Sequence, residues 1–166
     1  DRMQQLIQQA MSEISKKTCI SFVKMNLSHD HVVNIMQGKG CYSTVGRQPS
    51  SPFEKTKFQD LSLAEPGCDQ LTTVLHELIH AIGFGHEHAR WDRDNYIYID
   101  YDKVKPSMRA NFAKSTRPVF AGWERFPYDY KSIMHYGGSA FSVDGSPTMI
   151  PLLLGAQLGN SKGMTE

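Results

Sequence analysis

Between His76 and His86 the chain reads His76-Glu77-Leu78-Ile79-His80-Ala81-Ile82-Gly83-Phe84-Gly85-His86, and this segment holds the residues best suited to chemistry. His76 and His80 are four apart, so on a helix their imidazoles project from one face, one turn from each other. Two neutral imidazoles placed that way can each give a nitrogen to one zinc ion. Glu77, beside the first ligand, can reach a water at the metal without ligating it. Gly83 permits a left-handed turn that a residue with a Cβ resists, so the chain can double back. That return brings His86 to the same ion as a third ligand.

Three protein ligands leave a coordination position for water, the pattern of a catalytic zinc site rather than a structural one. Zinc lowers the pKa of such a water toward about 7 and polarises a carbonyl oxygen. Glu77 is placed to take the proton and deliver it to a leaving amine, which amounts to metal-assisted peptide hydrolysis. The competing reading is a helix whose surface histidines bind nothing. Gly83 and His86 argue against it, because HExxH alone recurs by chance far more often than the extended pattern.

The rest of the composition removes other classes. Lys and Arg number 18 against 17 Asp and Glu, a formal charge of +1, so no global basic field draws the chain to nucleic acid. The longest apolar runs, such as Met149–Leu154 with Pro151 inside it, fall far short of a membrane span. Asp1-Arg2-Met3-Gln4-Gln5 lacks the hydrophobic segment of a secretory leader. Cys19, Cys41 and Cys68 form no CxxC pair, which argues against a thiolate zinc ribbon or a thioredoxin-type site. Either all three are buried thiols, or two pair and the third lacks its partner. The residues alone leave both open.

The chemistry needs elements to hold it. Met3, Leu6, Ile7, Ala10, Met11 and Ile14 fall at helical spacing with Gln, Ser and Lys between them, predicting an amphipathic helix of about four turns. Cys19–Lys24, His31–Met36, Gly40–Val45 and Phe58–Leu63 read as short strands, with Gly46–Pro52 as a loop. Thr72 or Thr73 could cap a helix from about Val74 to Ile82, ended by Gly83 and Gly85. One helical stretch near Val104–Lys114 is expected in an otherwise irregular second half. Met134 reads as a core methionine and His135 as a structural histidine, while His29, His31 and His88 read as solvent or loop residues.

With these motifs in hand, the chain is identified as resembling the metzincins, and among them the astacin family. The resemblance rests on HExxHxxGxxH and Glu87, on Arg90-Trp91-Asp92-Arg93-Asp94-Asn95-Tyr96, and on Ser132-Ile133-Met134-His135-Tyr136, which is similar to the family's methionine turn. Lys17-Thr18-Cys19-Ile20-Ser21-Phe22 and Gly38-Lys39-Gly40-Cys41-Tyr42-Ser43 resemble its early strands. The resemblance implies an α+β, zincin-like, two-lobed metalloprotease. Its N-terminal lobe (about 1–86) would hold a mixed twisted sheet and two long helices, its C-terminal lobe (about 87–166) would be loop-rich, and 1–166 would form a single peptidase domain.

It also implies the site: one Zn2+ per chain on His76, His80 and His86, with Tyr136 as a further ligand that swings away to stabilise an oxyanion. Glu77 would be the general base, and Met134 would pack beneath the metal without bonding to it. Cys41 and Cys68 would form a disulfide, leaving Cys19 a free thiol whose partner lies beyond Glu166, and a disulfide would imply a secreted, extracellular setting. An extended substrate would add along Cys41–Val45, and Ser161 in the pocket after the scissile bond would give no strong acidic preference. Three departures from the family are expected: a chain trimmed at both ends, a longer loop over Gln48–Phe58, and a Glu87 that needs a partner other than the amino terminus. The function implied is a secreted zinc endopeptidase acting on protein or peptide substrates, as a monomer, with no nucleic acid and no membrane span. The alternative is a catalytically impaired astacin-like module acting in protein binding.

Overall fold

The computed structural model describes residues 2–26, 28–49, 57–116, 126–160 and 162–165. Two compact units emerge, Asp1–Phe84 and Gly85–Glu166.

In the first unit, helix α1 spans Arg2–Lys17. Its apolar stripe faces inward: Met3, Ala10 and Ile14 are buried, while Gln4, Gln5, Gln8 and Gln9 face solvent. Lys16 and Lys17 occupy the last turn, where a positive charge complements the helix dipole. Strands β1 (His31–Met36), β2 (Cys41–Ser43) and β3 (Lys57–Leu63) form one sheet in the order β1-β3-β2, with β1 parallel and β2 antiparallel to β3. On β3, Gln59, Leu61 and Leu63 share one face by the two-residue period of a strand, and all three are buried. Helix α2 (Leu71–Ile82) packs on α1 and the sheet, and its Val74, Leu75, Leu78 and Ile79 are buried. Burying each such aliphatic side chain contributes roughly 1.5–3 kcal/mol, so this shared core fixes where the functional face of α2 can point.

Two expectations need correction here. Cys19–Lys24 belongs to neither sheet, because a strand needs a ladder partner as well as β-branched residues. Helix α2 begins at Leu71 and has Gln70, not a threonine, at its N-cap, with no side-chain capping bond. The first i to i−4 bond, Val74 N–H to Gln70 O at 3.1 Å, already encloses Thr72 and Thr73. The expected disulfide is present: Cys41, at the start of β2, joins the buried Cys68 just before α2, and Cys19 is an exposed free thiol.

The second unit has little regular structure. Strands β4 (Ile97–Ile99) and β5 (Met149–Pro151) pair antiparallel, an element that no strand pattern in the sequence announced. The helical stretch expected near Val104–Lys114 is a 3-10 segment over Pro106–Phe112. Ile97, Ile99, Val104, Phe112, Tyr128 and Met149 form its core. With few ladders to absorb backbone carbonyls, the buried Arg93 does that work, donating to His88 O (3.1 Å) and Phe112 O (2.6 Å).

Candidate metal centre

On α2 the rings of His76 and His80 stand 4.6 Å apart, edge to face. The helix ends as its glycine requires. Gly83 takes φ +122°, its N–H bonds to His80 O at 2.9 Å, and Phe84 N–H reaches Ile79 O at 3.2 Å. A side chain at 83 would strain this left-handed backbone. Gly85, by contrast, has no positive φ and plays no such part. Immediately downstream the chain brings in His86, and one ring nitrogen from each of His76, His80 and His86, each able to ligate a metal, lies within 4.8 Å of the others.

The protonation pattern suits a metal. His80 Nδ1 lies 2.7 Å from Phe84 O, and a carbonyl only accepts, so Nδ1 carries the proton and Nε2 keeps its lone pair for an ion. Burial lowers the pKa of His80, which favours that neutral form. Glu77, next to His76, is 5% exposed, and its Oε2 has no hydrogen-bond partner among the described residues. Burial alone pushes its carboxyl up to about 7. Three clustered imidazoles are a donor set that fits zinc, and the orphaned carboxylate oxygen of Glu77 lies beside His76.

His86 is held from its own unit. The Glu87 N–H donates to Met134 O at 2.9 Å, linking the residue after the third histidine to the methionine turn. Glu87 Oε1 accepts from Asp129 N–H (2.9 Å) and from Arg90 Nη1 (3.0 Å). Arg90 is therefore the partner that Glu87 was expected to need. Arg90 also grips Asp92 through two bonds of 3.0 and 2.9 Å and lies over the Tyr128 ring. Burial pushes the Glu87 carboxyl up, while the Asp129 N–H and Arg90 pull it down.

The Tyr136 ring sits 4.7 Å from that of His86. His88, read from sequence as a solvent or loop residue, is instead fully buried. It stacks on Tyr136 at 4.0 Å and on His86 at 5.1 Å, and its Nε2 donates to Asn111 O. Nothing in its spacing announced this, since its surroundings depend on Tyr136, Phe112 and Asn111, all more than twenty residues away. His135 is structural as expected: Nδ1–H donates to Tyr136 O (2.7 Å), and Nε2 accepts from Tyr128 Oη (2.7 Å). Met134 is buried. Of the expected substrate edge only Cys41–Ser43 is strand, at an outer position of the sheet. Ser161 and most of the Gln48–Phe58 loop lie outside the described residues.

An α+β chain whose three histidines could hold a metal ion and gather beside a buried carboxylate has the make-up of a zinc metallopeptidase domain. The chain belongs to the astacin family: the model of the Astacin peptidase family matches residues 1–166. It is 37% identical over 161 residues to the zinc metalloproteinase nas-7 of Caenorhabditis elegans, covering 97% of this chain and 40% of that protein. It is 42% identical over 149 residues to the astacin-like metalloendopeptidase of Mus musculus, covering 89% of this chain and 31% of that one. The chain thus spans less than half the length of these curated relatives. Among solved structures it is similar to high choriolytic enzyme 1, a hatching enzyme zinc-protease of the medaka Oryzias latipes. That match has a TM-score of 0.84 and 36% identity, over 97% of this chain and 76% of that one. No described helix is long and apolar enough to cross a membrane.

Proposed function

We propose that residues 1–166 form a single peptidase domain that hydrolyses internal peptide bonds of protein substrates. The observation that carries this reading is the orphaned, buried Glu77 Oε2 next to the clustered imidazoles of His76, His80 and His86. His76, His80 and His86 would hold one zinc ion, with Tyr136 as a further ligand. When bound, zinc supplies a Lewis acid for the scissile carbonyl and a water whose pKa falls toward about 7. Glu77, buried beside His76, would accept a proton from the attacking water and pass it to the leaving amine. Tyr136, braced by the His88 ring, donates its O–H to the developing oxyanion. An extended substrate adds by main-chain hydrogen bonds to β2, whose position at the sheet edge supports this mode.

The Cys41–Cys68 bridge supports a secreted setting, because disulfides persist in oxidising compartments. Incubation with a denatured protein substrate, with and without chelator, tests the hydrolase reading. Glu77→Gln should keep its metal and lose about 10²–10⁴ in turnover. Near-normal turnover in that variant would remove Glu77 from the mechanism, and an unaltered zinc-loaded protein that cleaved nothing would overturn the reading itself.

A further inference from the structure

Gln59 is an anomaly in the core. It lies on the face of β3 that also carries Leu61 and Leu63, yet it is an amide and only 7% exposed. A buried amide costs folding free energy unless its polar atoms are bonded. Here Nε2 donates to Gly46 O at 3.2 Å, and Oε1 accepts from Gln48 N–H at 3.4 Å. Gln48 in turn donates its own Nε2 to Gly46 O at 3.1 Å. On its other side, the same Gly46 residue donates its N–H to His80 O at 2.9 Å. Gly46 has φ +69°, and a Cβ built there would stand 3.4 Å from Gly83 Cα, so the loop lies directly against the end of α2. Gly46 follows the edge strand Cys41–Ser43 by three residues.

We propose that Gln59 is a positioning residue. It clamps Gly46 so that the loop leaving the peptide-binding edge is fastened to the backbone of His80. The clamp sets the distance between the strand that aligns an extended substrate and the helix that presents two of the metal ligands. This role rests on the hydrolase reading above and on β2 as the docking edge. It also explains an amide at a position where an aliphatic side chain would pack at less cost.

The test uses Gln59→Met, similar in volume and able to pack, and Gln59→Glu, which keeps an acceptor for Gln48 but cannot donate to Gly46 O when ionised. The zinc-loaded protein is assayed on peptides of increasing length around one cleavage site. In the unaltered protein kcat/KM should rise with length as more of the peptide pairs with β2. In both variants that length advantage should shrink by about tenfold, while the shortest peptide and the zinc content stay unchanged, since displacements near 1 Å already cost rate. A loss of equal factor on every peptide would mean Gln59 only stabilises the fold, and an unchanged length advantage would mean it positions nothing; either overturns the proposal.

Hydrogen exchange supplies a readout independent of activity. The Gly46 amide should exchange as slowly as the amides of α2 in the unaltered protein and faster in both variants. Fast exchange in the unaltered protein would overturn the clamp. If the unaltered protein cleaved no peptide at all, the hydrolase reading and the positioning role that rests on it would both fall, while exchange would still decide whether the clamp exists.

Discussion

Reduction of the Cys41–Cys68 bridge offers a prediction whose size follows from the fold. The two cysteines are 27 residues apart in sequence, with Cα atoms 5.8 Å apart. In the chain-entropy treatment, cross-linking a loop of that length removes about 12 cal/mol/K from the unfolded ensemble, or about 3.6 kcal/mol at 25 °C. The bridge ties the start of β2 to the segment leading into α2, so the loop it closes contains the whole of β3. Replacing Cys68 would mix this entropy with a packing loss, because Cys68 is 1% exposed. The cleaner perturbation is to compare oxidised and reduced forms of the unaltered protein at one free zinc concentration. Cys19 is a thiol in both arms and cancels. Denaturant unfolding should show the reduced form less stable by about 3–4 kcal/mol, with the difference arising in the unfolded state. A difference below about 1 kcal/mol would refute the entropic argument for this bridge.

Other expectations concern the site. His80→Ala should lose stoichiometric zinc on metal analysis; full retention at unchanged affinity would remove His80 from the ligand set. Tyr136→Phe should keep zinc, because three imidazoles remain, while turnover falls by about 10²–10³ with little change in substrate affinity; a wild-type rate would leave Tyr136 a packing residue beside His88. In the chelated protein, the Glu77 carboxyl is raised by burial from 4.5 to about 7. Its contribution to stability is therefore full below pH 4.5 and lost as pH rises through about 7. Across that window chelated unaltered protein should lose more stability than chelated Glu77→Gln, and parallel curves would contradict the burial argument.

Much of the site is legible in the sequence alone, because its geometry is local. Four residues along a helix always place His76 and His80 on one face, and a glycine after the last turn permits the left-handed exit that Gly83 adopts. The stripe from Met3 to Ile14 set the buried face of α1 for the same reason. The pairing of Cys41 with Cys68 could not come from the residues, which left the thiols open; it came from resemblance, and the folded chain agrees.

What depended on distant partners was not legible. Cys19–Lys24 has strand-forming residues but joins no ladder, whereas Ile97–Ile99 forms one only because Met149–Pro151 returns beside it. His88 looked like a loop histidine until Phe112 and Tyr136 closed over it. Arg90 sits in a recognisable motif, but its grip on Glu87 and its place over Tyr128 depend on residues up to 38 positions away. Gln59 shows the difference most plainly. A single glutamine in a strand carries no signal, and its meaning arises only when folding brings Gly46 between it and His80. Spacing along one element sets which groups can act together. The three-dimensional fold decides which of the remaining polar groups are buried and therefore must find one another.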